Sequence, residues 1–329
     1  MKHLGQVVSW RLIATLLAIA LAAAACGSSS TTTEASNASA EVGDSDVAGA
    51  SVEATEVRTL RVGAIPDQEP ERLQRTYDLL ADYLEGEIPD LSVEYVPVTE
   101  YSSAVTGFSV GDLDAVWFGG LTGVQARLEV EGSNAILQRD IDEEFTSVFI
   151  ARADAGIEPL SGVDALSELA GRSFTFGSES STSGRLMPQS FLSQAGVDAT
   201  TDFAGQPGFS GSHDATIEVV EAGSFEVGAL NSQVWDARVA EGTVDTDQVV
   251  EIFRTPPYFD YHWVAQPDLD ARLGSGFTDE LTEAFLNLDQ SNPEHQEILD
   301  LFGAGSFIVT DNNNYESIEL VGRDSGLIR

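Results

Sequence analysis

The alternation of strand-like and helix-like segments between Thr59 and Ala151 constrains this chain more than any other feature. Thr59-Leu-Arg-Val-Gly-Ala-Ile65 reads as a strand stopped by Pro66-Asp67. Residues 70–85 then place Leu73, Tyr77, Leu80 and Leu84 at helical spacing. Residues 91–98 alternate as a second strand, and a short helix runs from about Tyr101 to Gly111. Leu113-Asp-Ala-Val-Trp-Phe118 is a third strand ending in Gly119-Gly120, and strand-like runs follow at 135–138 and 146–151. Strands separated by helices at this spacing form βαβ units, which predicts an α/β lobe with a mainly parallel sheet. Ligands of such sheets bind beyond the carboxyl ends of the strands, where Asp67, Tyr101 and Gly119 all lie.

A second lobe begins near Asp154 and contains the most distinctive stretch, residues 174–191. Phe174-Thr-Phe176 reads as a strand broken at Gly177; Ser178, Ser180, Ser181, Thr182 and Ser183 follow, and an apolar helical segment runs on to Gly196. Ser181 or its neighbour is the expected N-cap, with Gly196 as the stop. The first N–H groups of a helix lack internal partners and sit at the positive end of its dipole. Small hydroxyl residues leave that end open and add donors, which suits a compact anion. The same residues also serve plainly as caps. Further on, Gly208-Phe-Ser-Gly-Ser-His213-Asp-Ala-Thr216 leads into a helix, residues 226–230 form a strand ending at Asn231, and residues 249–254 run into Thr255-Pro-Pro-Tyr-Phe-Asp-Tyr-His-Trp263. Two helices follow, one from Thr278 with Leu281, Phe285 and Leu288, and one over 293–302.

Charge narrows the function classes. Among 329 residues, 54 are acidic and 16 basic, and Lys2 is the sole lysine. Such a chain is ill suited to nucleic acid or to anionic lipid surfaces. Its long-range field also repels an anionic ligand, so capture depends on local dipoles and short-range donors. Added salt should therefore speed association by screening that field; stopped-flow on-rates that fall steeply with salt would contradict this.

The amino-terminal segment has the layout of an export signal. Lys2 and Arg11 are its positive charges, and Leu12 to Ala25 is a run of 14 mostly apolar residues leading into Cys26. That run is shorter than the roughly 20 residues of a spanning helix. Cysteine after an alanine-rich stretch resembles a bacterial lipoprotein signal, which implies cleavage before Cys26 and its lipidation; Ala23 departs from the leucine usual there. A plain secretory signal is the alternative. Cys26 is also the only cysteine, which excludes an internal disulfide or a cysteine-rich metal site. The Ser/Thr/Ala/Glu-rich segment after it reads as a disordered tether, spanning about 30 Å as a flexible coil.

His213 beside Asp214 invites a hydrolase reading with Ser181 or Ser183. However, no Gly-x-Ser-x-Gly elbow is present, and an adjacent His-Asp pair cannot orient one imidazole as a triad does. His3, His262 and His295 have no ligand-like spacing, so no metal is expected. Trp117, Trp235 and Trp263 read as core, and Arg185 sits within reach of the serine-rich turn or points to solvent.

Ser181-Thr-Ser-Gly184, Gly-Ser-His213-Asp, Thr99-Glu-Tyr101 before a helix and Leu113-Asp-Ala-Val-Trp-Phe-Gly119 together resemble the phosphonate/phosphite/phosphate-binding proteins of ABC importers, which are type II periplasmic binding proteins. Gly177-Ser-Glu-Ser-Ser-Thr-Ser-Gly-Arg-Leu-Met-Pro, Ser210-Gly-Ser-His-Asp-Ala-Thr and Thr255-Pro-Pro-Tyr-Phe-Asp-Tyr are similar to a subgroup labelled selenate or phosphonate binders. The resemblance spans about Leu60 to Leu327. It implies two α/β lobes joined by two crossover strands, near Phe149 and near Tyr261, closing by hinge motion on a tetrahedral oxyanion. It further implies that Ser181, Thr182, Ser183 and His213 hold the oxyanion, Tyr101 adds a hydroxyl from the opposite lobe, and Asp260 faces the ligand's substituent. Phe145 stands where aminoalkylphosphonate binders present a tyrosine, and Gln233 where they present a carboxylate for the ligand ammonium. The implied ligand is thus small and without a cationic tail: phosphite, methylphosphonate, phosphate, or a selenium oxyanion.

The organisation expected is a signal over 1–26, a tether over 27–58, a first lobe of 59–152 plus 262–329, and a second of 153–261. The expected role is a monomeric, lipid-anchored, extracytoplasmic solute-binding protein that makes no bond and needs no cofactor. It would hand its ligand to a membrane permease and its ATPase. A ligand-sensing receptor component, an organic-ligand binder and a serine hydrolase are the alternatives. As an acceptor, Asp260 would select protonated oxyanions over sulfate or selenate.

Overall fold

A computed structural model describes residues 57–329; the expected signal, Cys26 and nearly all of the tether lie outside the described residues. The first strand, β1 (Arg58–Ala64), is followed by α1 (Pro70–Glu87), β2 (Leu91–Tyr95), α2 (Tyr101–Ser109), β3 (Ala115–Phe118), α3 (Gly120–Glu129) and β4 (Asn134–Arg139). Pro70 opens α1, where its missing N–H costs nothing. The helix buries Leu73, Tyr77, Leu80 and Leu84 on one face, as their spacing predicts. Among the described residues, no helix is long and apolar enough to cross a membrane.

β5 (Ser147–Arg152), β6 (Phe174–Phe176), β7 (Gly208–Phe209), β8 (Val227–Asn231) and β9 (Val249–Arg254) form a second sheet in the order β7-β6-β8-β5-β9. The chain then returns, and β10 (His262–Ala265) and β11 (Phe307–Val309) complete the first sheet as β11-β4-β10-β3-β1-β2. Both sheets are mixed, not mainly parallel. β10 is antiparallel to β3 and β4, and β5 is antiparallel to β8 and β9. β5 and β10 are the strands by which the chain enters the second lobe and re-enters the first, so each arrives from the opposite direction to strands built by βαβ crossovers; β11, at the edge, is likewise antiparallel to β4.

β5 also moves the expected boundary. Phe149 pairs with Ala229 and Phe253 in the middle of the second sheet, so it is not a crossover residue. Alternate β5 side chains enter two different cores, Phe149 and Ala151 one, Val148 and Ile150 the other. An apolar run buried on both faces looks the same in either lobe, which is why its sheet was not legible. The outward crossing lies before Ser147. There Phe145 and Tyr258 exchange N–H···O bonds of 3.0 and 2.9 Å as an isolated antiparallel bridge, and Asp260 N–H reaches the Asp142 carbonyl at 3.2 Å. The two connecting segments thus run side by side between the two sheets.

In the second lobe a turn over Thr182–Leu186 runs into α4 (Met187–Gln194), and α5 (His213–Glu221) and α6 (Ser232–Glu241) follow β7 and β8. After β10 come α7 (Leu269–Leu273), α8 (Phe277–Leu286), α9 (Pro293–Phe302) and, last, α10 (Glu316–Asp324), which packs on α3. Trp117, Trp235 and Trp263 are all buried.

Candidate functional site

Four helix starts, two from each lobe, converge between the sheets. Ser181 is the N-cap of the serine-rich turn, its Oγ accepting from Gly184 N–H at 2.9 Å. The capping reading is therefore correct for its lone pair, while its hydroxyl hydrogen stays available as a donor. Gly184 lies so close to α5 that a Cβ there would meet His213 Cε1 at 3.3 Å. From the other lobe, Leu121 N–H in the first turn of α3 donates to Thr182 Oγ1 at 2.9 Å. The start of α2 brings Tyr101, whose hydroxyl lies beside Ser181. It has no hydrogen-bond partner of sound geometry among the described residues.

Asp260 sits on the returning connecting segment, two residues before β10, and is fully buried. Its Oδ1 accepts from Gly120 N–H at 2.8 Å, whereas its Oδ2 has no partner among the described residues. Burial pushes this carboxyl up to about 7, against the Gly120 bond that favours the anion. His262 Nδ1 lies 3.0 Å from the Asp260 carbonyl, and its ring stacks on Tyr315 at 3.7 Å, so the backbone of Asp260 is held from behind.

His213 presents one defined nitrogen. Asn231 N–H approaches Nδ1 at 3.3 Å, which makes Nδ1 the acceptor and leaves the proton on Nε2. Nε2 faces the Tyr261 hydroxyl at 3.3 Å. Burial lowers the imidazole to about 4, with Asp214 opposing, so it is a neutral donor near pH 7. Asp214 faces away, taking Arg238 at 2.7 Å and Glu69 N–H at 3.0 Å. Among the described residues His213 therefore has no orienting carboxylate, and no hydrolytic triad is assembled around it.

The six expected residues, Tyr101, Ser181, Thr182, Ser183, His213 and Asp260, are brought to one region, all at most 2% exposed. Ser183 is fixed through its carbonyl, which accepts from Ser147 Oγ at 2.7 Å. Arg185 is not part of this group: its guanidinium lies over the Phe176 and Phe209 rings and its Nε donates to Gln189. Sequence reasoning missed Tyr261 as a site residue. Its hydroxyl donates to Asp67 Oδ2 at 2.8 Å and accepts from Asn231 Nδ2 at 3.1 Å, tying both lobes together. Asp67 was noted only as lying past a strand end; burial raises it to about 6, with the Tyr261 bond opposing. The lobes are closed on each other, as His213 N–H reaches the Asp67 carbonyl at 3.0 Å.

Residues 62–315 match the family model of the ABC transporter phosphonate periplasmic substrate-binding proteins. This chain belongs to that family. Its members are binding components of ABC transporters, not enzymes, and work outside the cytoplasm. A relative from Prochlorococcus marinus, named as a probable ABC transporter phosphite binding protein, PhnD1, is 48% identical over 272 residues. The match covers 83% of this chain and 91% of the relative. The structure of PhnD1 in complex with methylphosphonate superposes with a TM-score of 0.80, covering 83% of this chain and all of that one. A phosphonate-transporter binding component from Pseudomonas aeruginosa shares the fold at 17% identity, with a TM-score of 0.71 over 82% of this chain and 87% of that one.

Proposed function

We propose that this protein captures a small tetrahedral oxyanion, phosphite, methylphosphonate or phosphate, between its two lobes and delivers it to a permease and its ATPase. The observation that carries the reading is the pairing of two buried, unpartnered polar atoms, Tyr101 Oη and Asp260 Oδ2, with the helix starts around them. Such atoms are costly unless a ligand completes them. In this reading Ser181, Thr182 and Ser183, with the N–H groups behind them, donate to the anion's oxygens, and His213 Nε2–H turns to the anion from the Tyr261 hydroxyl it faces at 3.3 Å. Tyr101 donates from the first lobe, and Asp260 accepts from a protonated ligand oxygen. The names of the P. marinus relative and its methylphosphonate complex support the ligand class. A selenium oxyanion fits the donors equally, but fully ionised selenate has no proton to offer Asp260. Domain limits are proposed at the hinge, with the protein held monomeric on the outer face of the membrane by a lipid at Cys26.

Isothermal titration against phosphite, methylphosphonate, phosphate, sulfate and selenate tests this directly. His213→Ala should weaken the best ligand by about 10–100-fold, the scale of one hydrogen bond to a charged group. A panel in which no oxyanion binds, or a His213→Ala variant with unchanged affinity, refutes it.

A further inference from the structure

Arg139, the last residue of β4, is 3% exposed and lies deep behind Tyr261. Its guanidinium carbon is 4.8 Å from the Tyr261 ring centroid, 5.4 Å from that of Trp117 and 5.5 Å from that of Phe145. Three aromatic faces around one cation form the kind of box that proteins otherwise use for an organic ammonium group. The polar partners are of the same kind. Asp142 takes Nε and Nη2 at 2.8 and 2.7 Å, and Nη1 is shared between the Phe302 carbonyl and Gln233 Oε1. A small cavity remains beside the guanidinium, bounded also by Asp67, Tyr77, Gln233 and Tyr261. Two of its walls, Asp67 and Tyr261, belong to the network that reaches His213.

We infer that Arg139 is a built-in occupant of a cation compartment next to the anion site, and that it sets ligand specificity by excluding phosphonates with a cationic tail. The inference rests on the oxyanion reading above and deepens it. Two effects act together. The side chain fills the volume that an aminoalkyl group would need, and it occupies the Asp142 carboxylate with which an ammonium would otherwise pair. Burial opposes ionisation of Arg139, but Asp142 outweighs it and the guanidinium stays charged. Without the side chain, Asp142, Asp67 and the aromatic faces would surround an acidic space open to a substituent.

The test compares titration of methylphosphonate and 2-aminoethylphosphonate with wild type, Arg139→Ala, and the double variant Arg139→Ala/Asp142→Asn. The double variant guards against misfolding, since Asp142 left alone is a buried unpaired charge. Wild type should prefer methylphosphonate. In Arg139→Ala folded by circular dichroism, the affinity ratio should move toward 2-aminoethylphosphonate by about tenfold or more, the scale of one charged hydrogen bond. In the double variant, where Asp142 no longer offers a charge, it should move the same way by a smaller factor, from the vacated volume and Asp67 alone. A folded variant that binds methylphosphonate with the wild-type ratio overturns the inference and leaves the oxyanion reading intact. If wild type binds neither compound nor any oxyanion, the broader reading fails first.

Discussion

Asp260→Asn should reverse the pH dependence of ligand binding and admit sulfate. Oδ1 of Asp260 is held by Gly120 N–H at 2.8 Å, so an asparagine keeps its oxygen there and turns its NH₂ to the position of Oδ2. An acceptor pointing at the ligand becomes a donor. In wild type, the complex needs one proton between the carboxyl and the phosphite oxygen, whichever of the two holds it. Affinity for phosphite should therefore fall as pH rises above about 7, where the buried carboxyl also loses its proton. In the asparagine variant no shared proton is needed, and affinity should rise with pH as phosphite becomes a dianion. Sulfate brings no proton near neutral pH, so it depends on the carboxyl being protonated and meets a bare carboxylate in wild type once the pH rises above about 7. Removing that unpaired acceptor should improve sulfate binding there by about 5–150-fold, corresponding to about 1–3 kcal/mol for an unsatisfied buried group. Calorimetry at several pH values reads both effects; equal wild-type affinity for sulfate and phosphite would end the argument.

The same carboxyl leaves a signature on stability. Its folded value is raised from 3.8 to about 7, so between those limits the folded ligand-free protein binds more protons than the unfolded chain. Stability then falls as pH climbs through that window, and Asp67, raised to about 6, adds to the slope.

The parts of the site that were legible in sequence are those fixed by local rules. Strand, small-residue turn and helix start follow one another within about ten residues, so Ser181, Thr182 and His213 could be placed at helix mouths from caps and periodicity alone. Tyr101 and Asp260 came from resemblance, because nothing local distinguishes a binding tyrosine or aspartate from a surface one. The hidden parts depend on distant partners. Gly120 and Asp260 are 140 residues apart, Arg139 and Gln233 94, Asp67 and Tyr261 194. Nothing in the spacing of Arg139 and Asp142 shows that the pair is boxed by Phe145 from its own segment and by Trp117 and Tyr261 from two distant ones. The mixed sheets escaped for a related reason. Strand periodicity gives which face is buried, not the direction of the neighbour.

Gly119→Val should separate folding from closure. Gly119 precedes α3 with φ −76° and ψ 164°, an extended conformation open to any residue, so the substitution imposes no backbone strain. Space is the constraint. A Cβ at this position would lie 3.1 Å from Thr182 Oγ1 and 3.3 Å from Asp260 Oδ1, the first among the second-sheet elements and the second on the returning connecting segment. Valine adds two further methyl groups between the start of α3 and the Thr182 turn, where Leu121 N–H now reaches Thr182 Oγ1. In an open form the Thr182 side withdraws and the methyls face solvent, so the penalty falls on the closed state. Overpacking of this kind costs about 1–3 kcal/mol. Because ligand is held by the closed form, the dissociation constant should rise by about 5–150-fold. The melting temperature without ligand should stay near wild type, while the rise on adding phosphite should shrink. Small-angle scattering should show wild type contracting with phosphite and the variant remaining extended. A variant that melts early without ligand, yet contracts normally with it, would make Gly119 a packing residue of the first lobe instead of the surface on which the lobes meet.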